Sequence, residues 1–148
     1  MSGRAEVRIE KLVHGGSGLA RLENGQAVFV PGALPGELVA VELRKKKKGF
    51  LEAGLIEVIE PSPNRIAPPC SGEKQCTGAT WPHISYGAQL EYKREILLDT
   101  LQRIGGISPA RPFPTIPSPS TDHYRLRTQF NVRTKDGRQR IGFFRQGS

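Results

Sequence analysis

Cysteines, long apolar runs and acidic groups are all scarce in this chain, and each shortage removes a class of protein. Two cysteines in 148 residues leave no disulfide framework of the kind that staples small secreted domains. No stretch approaches the roughly 20 apolar residues that a membrane-spanning helix needs. The first residues, Met1 to Glu6, pass directly into alternating strand-like sequence without the apolar core of a secretory leader. A soluble, cytoplasmic protein is therefore expected, in keeping with a mean hydropathy of −0.41. Its length suffices for one ordinary hydrophobic core or two small ones.

The shortage of acid is local. The chain carries 22 Lys and Arg against 14 Asp and Glu, a net charge of +8. Residues 1–43 and 49–120 are each close to neutral, at −1. The excess sits in Arg44-Lys45-Lys46-Lys47-Lys48 and in residues 121–148, each at +5. Like charge concentrated in this way calls for an anionic partner, and a phosphate backbone is the commonest one. The competing reading of the lysine run is a solvated loop that aids solubility.

Residues 5–60 read as β structure. Val7 and Ile9 alternate with charged neighbours, as in a half-buried strand. Gly15-Gly16-Ser17-Gly18 reads as a turn, and Asn24-Gly25 as a two-residue hairpin between Leu19–Leu22 and Ala27–Val30. Leu38–Leu43 leads into the basic run, read as a loop, and Phe50–Ile59 returns from it. About five short strands with frequent turns predict a small closed barrel, because closure removes the adhesive edges of a sheet. Pro61-Ser62-Pro63 ends that unit, and a Pro/Gly-rich loop over residues 64–86 holds both cysteines.

The period then changes. Leu90, Leu97, Leu101 and Ile104, widened by Ile96 and Leu98, form an apolar stripe predicting a helix over 87–104. Glu91 with Arg94, and Asp99 with Arg103, are spaced to pair along it, and Gly105-Gly106 supplies a stop. Five prolines make residues 107–120 a connector. Tyr124–Phe144 reads as a β-hairpin turning at Lys135-Asp136-Gly137, the start of a truncated sheet, since one hairpin is seldom stable alone. The expected fold is mainly β with one helix. Its divisions are an OB-like barrel over 1–60, the cysteine loop and helix over 61–106, a linker over 107–120 and a partial domain over 121–148.

Several of these segments together resemble the opening part of the bacterial RNA uridine-5-methyltransferases, which include makers of 5-methyluridine in 23S ribosomal RNA and in tRNA. Val13–Ala20 and Val28–Glu37 are similar to the TRAM domain, a small RNA-binding barrel. Pro61–Arg65 resembles the joint that follows it. Trp81-Pro82-His83 with Gln89 and Lys93, then Tyr124-Arg125 and Ile141-Gly142-Phe143, resemble later pieces in the same order. Radical methylthiotransferases also carry a TRAM domain, but at the opposite end of the chain. The resemblance implies that the parent enzyme uses S-adenosyl-L-methionine and that a catalytic domain, with its nucleophilic cysteine, lies outside these 148 residues. It also implies a likeness to Cys-x5-Cys-Gly-Gly-Cys, the start of a [4Fe–4S] loop. Cys70 and Cys76 match the first two ligands, Thr77 replaces a glycine, and Ala79 stands at the third ligand. Two thiolates do not hold a cubane cluster, so a relic loop with free thiols is expected. A zinc site from Cys70, Cys76 and His83 is the other metal option, on a spacing that matches no familiar zinc pattern.

The RNA contacts expected from composition are Arg44, Lys45, Lys46, Lys47 and Lys48 in the barrel, and Tyr124, Arg125, Arg127, Arg138 and Arg140 in the final segment. Arg133, Arg145, Phe143 and Phe144 are interleaved with the latter group. Arginine suits phosphate forks and base stacking better than lysine. Against this, alternate arginines are also what the wet face of a hairpin looks like. Phe29 and Phe50 are candidate stacking residues, with Phe29 assigned to the core. His14, His83 and His123 read as structural, and Trp81 as a packing anchor for the helix. The expected function is the RNA-recognition portion of an S-adenosylmethionine-dependent methyltransferase, monomeric and without a membrane partner. The alternatives are a stand-alone RNA-binding protein without catalysis and, third, a redox or metal sensor built on Cys70 and Cys76.

Overall fold

The computed structural model describes residues 3–47, 49–68, 79–108, 114–121 and 124–143, with only the backbone of Lys45, Lys46 and Lys135. Six strands form one sheet: β1 (Arg4–Arg8), β2 (Lys11–Leu12), β3 (Ser17–Arg21), β4 (Ala27–Pro31), β5 (Leu38–Lys47) and β6 (Phe50–Glu60). Their spatial order is β1-β5-β6-β4-β3-β2. The two outermost strands are thus consecutive in the chain, separated only by Ile9-Glu10. The Ile9 amide donates to Glu37 O at 2.9 Å, and the Glu10 amide donates to Leu19 O at 2.8 Å. One segment, residues 4–12, therefore pairs with β5 at its start and with β3 at its end, and the sheet closes on itself. This is the expected OB-like barrel, and closure leaves no long free edge.

Alternation decides what fills it. Val7, Ile9, Ala20, Val28, Val30, Ala33, Val39, Val41 and Ala53 form the barrel core, each no more than 4% exposed. These are small or β-branched side chains that pack well on a pleated surface. The β3–β4 hairpin turns through Glu23-Asn24-Gly25 rather than Asn24-Gly25 alone. Leu22 N donates to Gln26 O, Asn24 Oδ1 accepts from Gln26 N, and Gly25 takes φ +80°. Ser17 and Gly18, expected in a turn, already belong to β3.

After the barrel, residues 61–66 run back toward the chain that leads into helix α1 (Tyr86–Arg103). A single bridge pairs Arg65 with Ile84, the Ser85 amide donates to Asn64 O, and Asn64 Nδ2 donates to the Tyr92 hydroxyl at 3.2 Å. Gln89 Nε2 donates to Ile84 O and Trp81 O, fastening the turn before the helix. The helix packs through Ala88, Tyr92 and Ile96, which join Leu12, Leu34, Ile84 and Trp81 in a second apolar cluster. This corrects the expected stripe: Leu97 is 42% exposed and Ile104 73%. The barrel offers its apolar surface at Leu12 and Leu34, and the face that meets it carries Ala88 and Tyr92 at a four-residue spacing. The expected Glu91–Arg94 and Asp99–Arg103 pairs are present at 3.5 and 3.4 Å. Lys11 adds a tie from barrel to helix, donating to Asp99 at 2.5 Å and holding that carboxyl below its ordinary pKa.

The junction is anchored by one fully buried carboxylate. Glu37 accepts from Leu34 N (2.8 Å), Ser62 N (3.2 Å), Arg65 Nε (2.6 Å) and Arg65 Nη2 (2.7 Å). Burial works against the charge, but the Arg65 fork and two backbone donors outweigh it and lower the Glu37 pKa. Among the described residues the last element is a two-stranded hairpin, β7 (Asn131–Lys135) and β8 (Arg138–Gly142). Residues 124–130, expected within it, precede its first strand.

Candidate nucleic-acid interface

Arg44–Lys47 belong to β5, in strand rather than in a loop. β5 and β6 form a long antiparallel ribbon in which Lys45, Lys46 and Lys47 sit opposite Glu52, Leu51 and Phe50. Lys48 lies outside the described residues, as do the side chains of Lys45 and Lys46. A β-bulge between Leu43 and Lys45 shifts the register, and such bulges re-aim the side chains that follow. Arg44 lies over Gly54 so closely that a Cβ added there would collide with the guanidinium. It also donates to Glu42 at 3.3 Å. The Lys47 ammonium forms an ion pair with Glu52 at 2.6 Å and lies 6.0 Å from the Phe50 ring centroid.

Phe29 is not a core residue. Its neighbours Val28 and Val30 are fully buried inside the barrel, so Phe29 projects from the opposite face, half-buried. There it meets Phe50 with ring centroids 5.0 Å apart and planes at 77°. The two rings, with Val13, His14, Ser17, Pro31, Arg44, Glu52 and Ala53, line a cleft of about 370 Å³. Two aromatics and two cations on a barrel face otherwise rich in polar groups are the parts of a single-strand binding surface. Sequence reasoning missed Glu52, His14 and Ser17 as neighbours of these rings.

The hairpin carries a second basic surface. In its register Arg133 sits opposite Arg140 and Lys135 opposite Arg138, while Val132 sits opposite Ile141. Strand alternation therefore puts Arg133, Arg138 and Arg140 on one face and Val132 and Ile141 on the other. Phe130 and Phe143 close the apolar face with ring centroids 5.2 Å apart. Arg127, Arg138 and Arg140 are exposed. Arg125 lies 5.9 Å over the Tyr124 ring, and both line a groove of about 1000 Å³ with Trp81, Tyr86, Gln89 and Lys93 of the helix region. The connector reaches this groove through Ser118, whose amide donates to the Tyr86 hydroxyl at 2.6 Å. Arg44 and Phe50 thus line one depression and Tyr124 and Arg125 another.

Cys70, Cys76, His123, Phe144 and Arg145 lie outside the described residues. His83 is near the clasp. Burial first, and the Arg65 cation second, lower its pKa against the pull of Glu37, leaving it neutral at pH 7. Ala79, where an iron–sulfur loop needs its third thiolate, is an exposed methyl and cannot ligate. The residues present do not fit a [4Fe–4S] cluster. Among the described residues no three His, Cys, Asp or Glu side chains gather to hold a metal ion, and no helix is long and apolar enough to cross a membrane.

Residues 4–56 match the TRAM domain. The matched residues coincide with the barrel. An uncharacterized RNA methyltransferase of Halalkalibacterium halodurans is 40% identical over 97% of this chain and 31% of that protein. The 23S rRNA (uracil(1939)-C(5))-methyltransferase RlmD of Xylella fastidiosa is 41% identical over 93% of this chain and 32% of that protein. Among solved structures, a conserved protein of Methanococcus maripaludis is 37% identical over 36% of this chain and 76% of its own, with a TM-score of 0.35. Nearly all of this chain is thus similar to RNA methyltransferases, and it spans about a third of the length of these curated relatives.

Proposed function

We propose that this chain is the RNA-gripping portion of an S-adenosylmethionine-dependent RNA (uracil-5-)-methyltransferase acting on ribosomal or transfer RNA in the cytoplasm. The observation that carries the reading is the outward-facing Phe29–Phe50 pair flanked by Arg44 and Lys47, on a barrel whose relatives are RNA methyltransferases. The cations follow the phosphate backbone and the rings receive bases. The barrel over residues 1–60 supplies this surface, and the helix unit over 61–106, clasped to it by Glu37–Arg65, fixes its direction. Tyr124, Arg125, Arg127, Arg138 and Arg140, in the segment from 121 onward, extend the grip along the strand. S-adenosylmethionine, in the parent enzyme, supplies the methyl group, and no residue here is assigned to it.

Fluorescence anisotropy with a labelled single-stranded RNA, titrated at several salt concentrations, tests the proposal on the monomeric chain. Binding is expected at low salt. Replacing Lys45–Lys48 by alanine lowers the slope of log K against log salt by about 0.7 for each phosphate no longer neutralised. Absence of binding at low ionic strength overturns the proposal. An unchanged slope removes the lysine run from it.

A further inference from the structure

The cleft beside Phe29 and Phe50 contains a group that phosphate tracking does not explain. Glu52 lines it in the middle of the basic ribbon, with 41% of its side chain exposed. A carboxylate there repels a phosphate backbone. It is, however, the acceptor that an exocyclic amino group of a base requires, as in carboxylate recognition of cytosine N4. The Lys47 ammonium meets one of its oxygens, Oε1, at 2.6 Å, and an ionised carboxyl offers about four acceptor sites. Lys47 thus orients the carboxylate while leaving it room to accept. The cleft, at about 370 Å³, is at the small end of ligand-sized sites, suited to one base rather than to a stack.

Resting on the RNA-binding reading above, we propose that this cleft is a pocket for a single unpaired nucleobase. Phe50 and Phe29 provide the aromatic contact, and Glu52 selects bases that present an amino group, distinguishing cytosine from uracil. Arg44, held over Gly54, meets the adjoining phosphate. A pyrimidine comparison isolates the amino group, because cytosine and uracil differ at that edge while stacking over similar area.

The test compares the affinity of the chain for short cytidine and uridine oligonucleotides of equal length. The unaltered chain is expected to bind the cytidine strand about tenfold more tightly, the effect of one hydrogen bond to a charged group. Glu52→Gln brings the ratio near one, because an amide can either accept or donate. Phe50→Ala weakens both strands by about tenfold, the scale of one base–aromatic stack, with the salt slope unchanged. Equal affinity of the unaltered chain for the two strands overturns the proposal, as does a ratio that survives Glu52→Gln. Either result leaves RNA binding itself standing, whereas loss of binding to every strand removes the reading on which the proposal rests.

Discussion

Replacing Glu37 by glutamine tests how the barrel is joined to the helix unit. The substitution keeps the shape and removes the charge at a position with no solvent exposure. Four donated hydrogen bonds converge on the carboxylate, two of them from the Arg65 guanidinium at 2.6 and 2.7 Å. Glutamine accepts through one oxygen only, so its amide hydrogens confront donors, and Arg65 loses its counter-charge. Removing one partner of a buried pair costs about 3–5 kcal/mol. The Arg65 side chain is 22% exposed and also donates to Gly32 O at 2.7 Å, so partial hydration places the loss near the lower figure. A loss of about 3 kcal/mol lowers the melting temperature of a chain this size by roughly 10 °C.

The same group predicts a pH dependence. The folded-state pKa of Glu37 lies below its ordinary value of 4.5. Its contribution is therefore complete above that ordinary value and is lost as pH falls through the lower, folded one. Urea unfolding followed by circular dichroism, at neutral pH and down the acid limb, measures both effects. The unaltered chain should lose stability on acidification more steeply than Glu37→Gln. A neutral-pH difference below about 1 kcal/mol, or parallel acid limbs, would refute the clasp, since a buried pair is worth more than that.

Three further outcomes follow from local geometry. Gly16 takes φ +83° and lies against Trp81, whose Nε1 would collide with an added Cβ. Gly16→Ala should therefore destabilise the chain by about 2 kcal/mol or more in thermal melts, from left-handed strain plus displacement of the indole. Gly54→Ala meets the movable Arg44 guanidinium. It should leave stability unchanged within about 0.5 kcal/mol while weakening RNA binding severalfold by turning Arg44 away, as read by anisotropy. Iron analysis of the protein as isolated should give well under one iron per chain, because Ala79 offers no thiolate. A brown sample with a full cluster would contradict that ligand count.

Much of this architecture is legible in the sequence because alternation and turn chemistry are local signals. Asn24-Gly25, the Pro-Gly pairs and the change of period near residue 87 place the β3–β4 hairpin and the helix within a residue or two, whereas the final hairpin starts at Asn131 rather than Tyr124. Closure is not local. Val28-Phe29-Val30 is apolar at every position, so only the closed sheet decides that the valines face in and the phenylalanine out. The basic run reads as a loop because four lysines suit solvent, yet pairing with β6 carries it on as strand through Lys47. In the helix, Leu90, Leu97 and Leu101 outweigh Ala88 and Tyr92 by composition, but Leu12 and Leu34 of the barrel, together with Ile84 before the helix, select the face that carries Ala88 and Tyr92. Glu37 leaves one readable trace, an acid set between Ala33-Leu34 and Leu38-Val39. A charge in an apolar stretch calls for a partner, though its identity, 28 residues away, needs the fold.

The central claim is that RNA lies on the β4–β6 face of the barrel, across Phe29, Phe50, Arg44 and Lys47. Ultraviolet crosslinking of the chain to a single-stranded RNA, followed by mass spectrometry of the peptides, tests it most directly. Adducts on the peptides containing Phe29 and Phe50, lost in Phe50→Ala, are the predicted result. Adducts confined to other parts of the chain, with the β4 and β6 peptides unmodified, would contradict it.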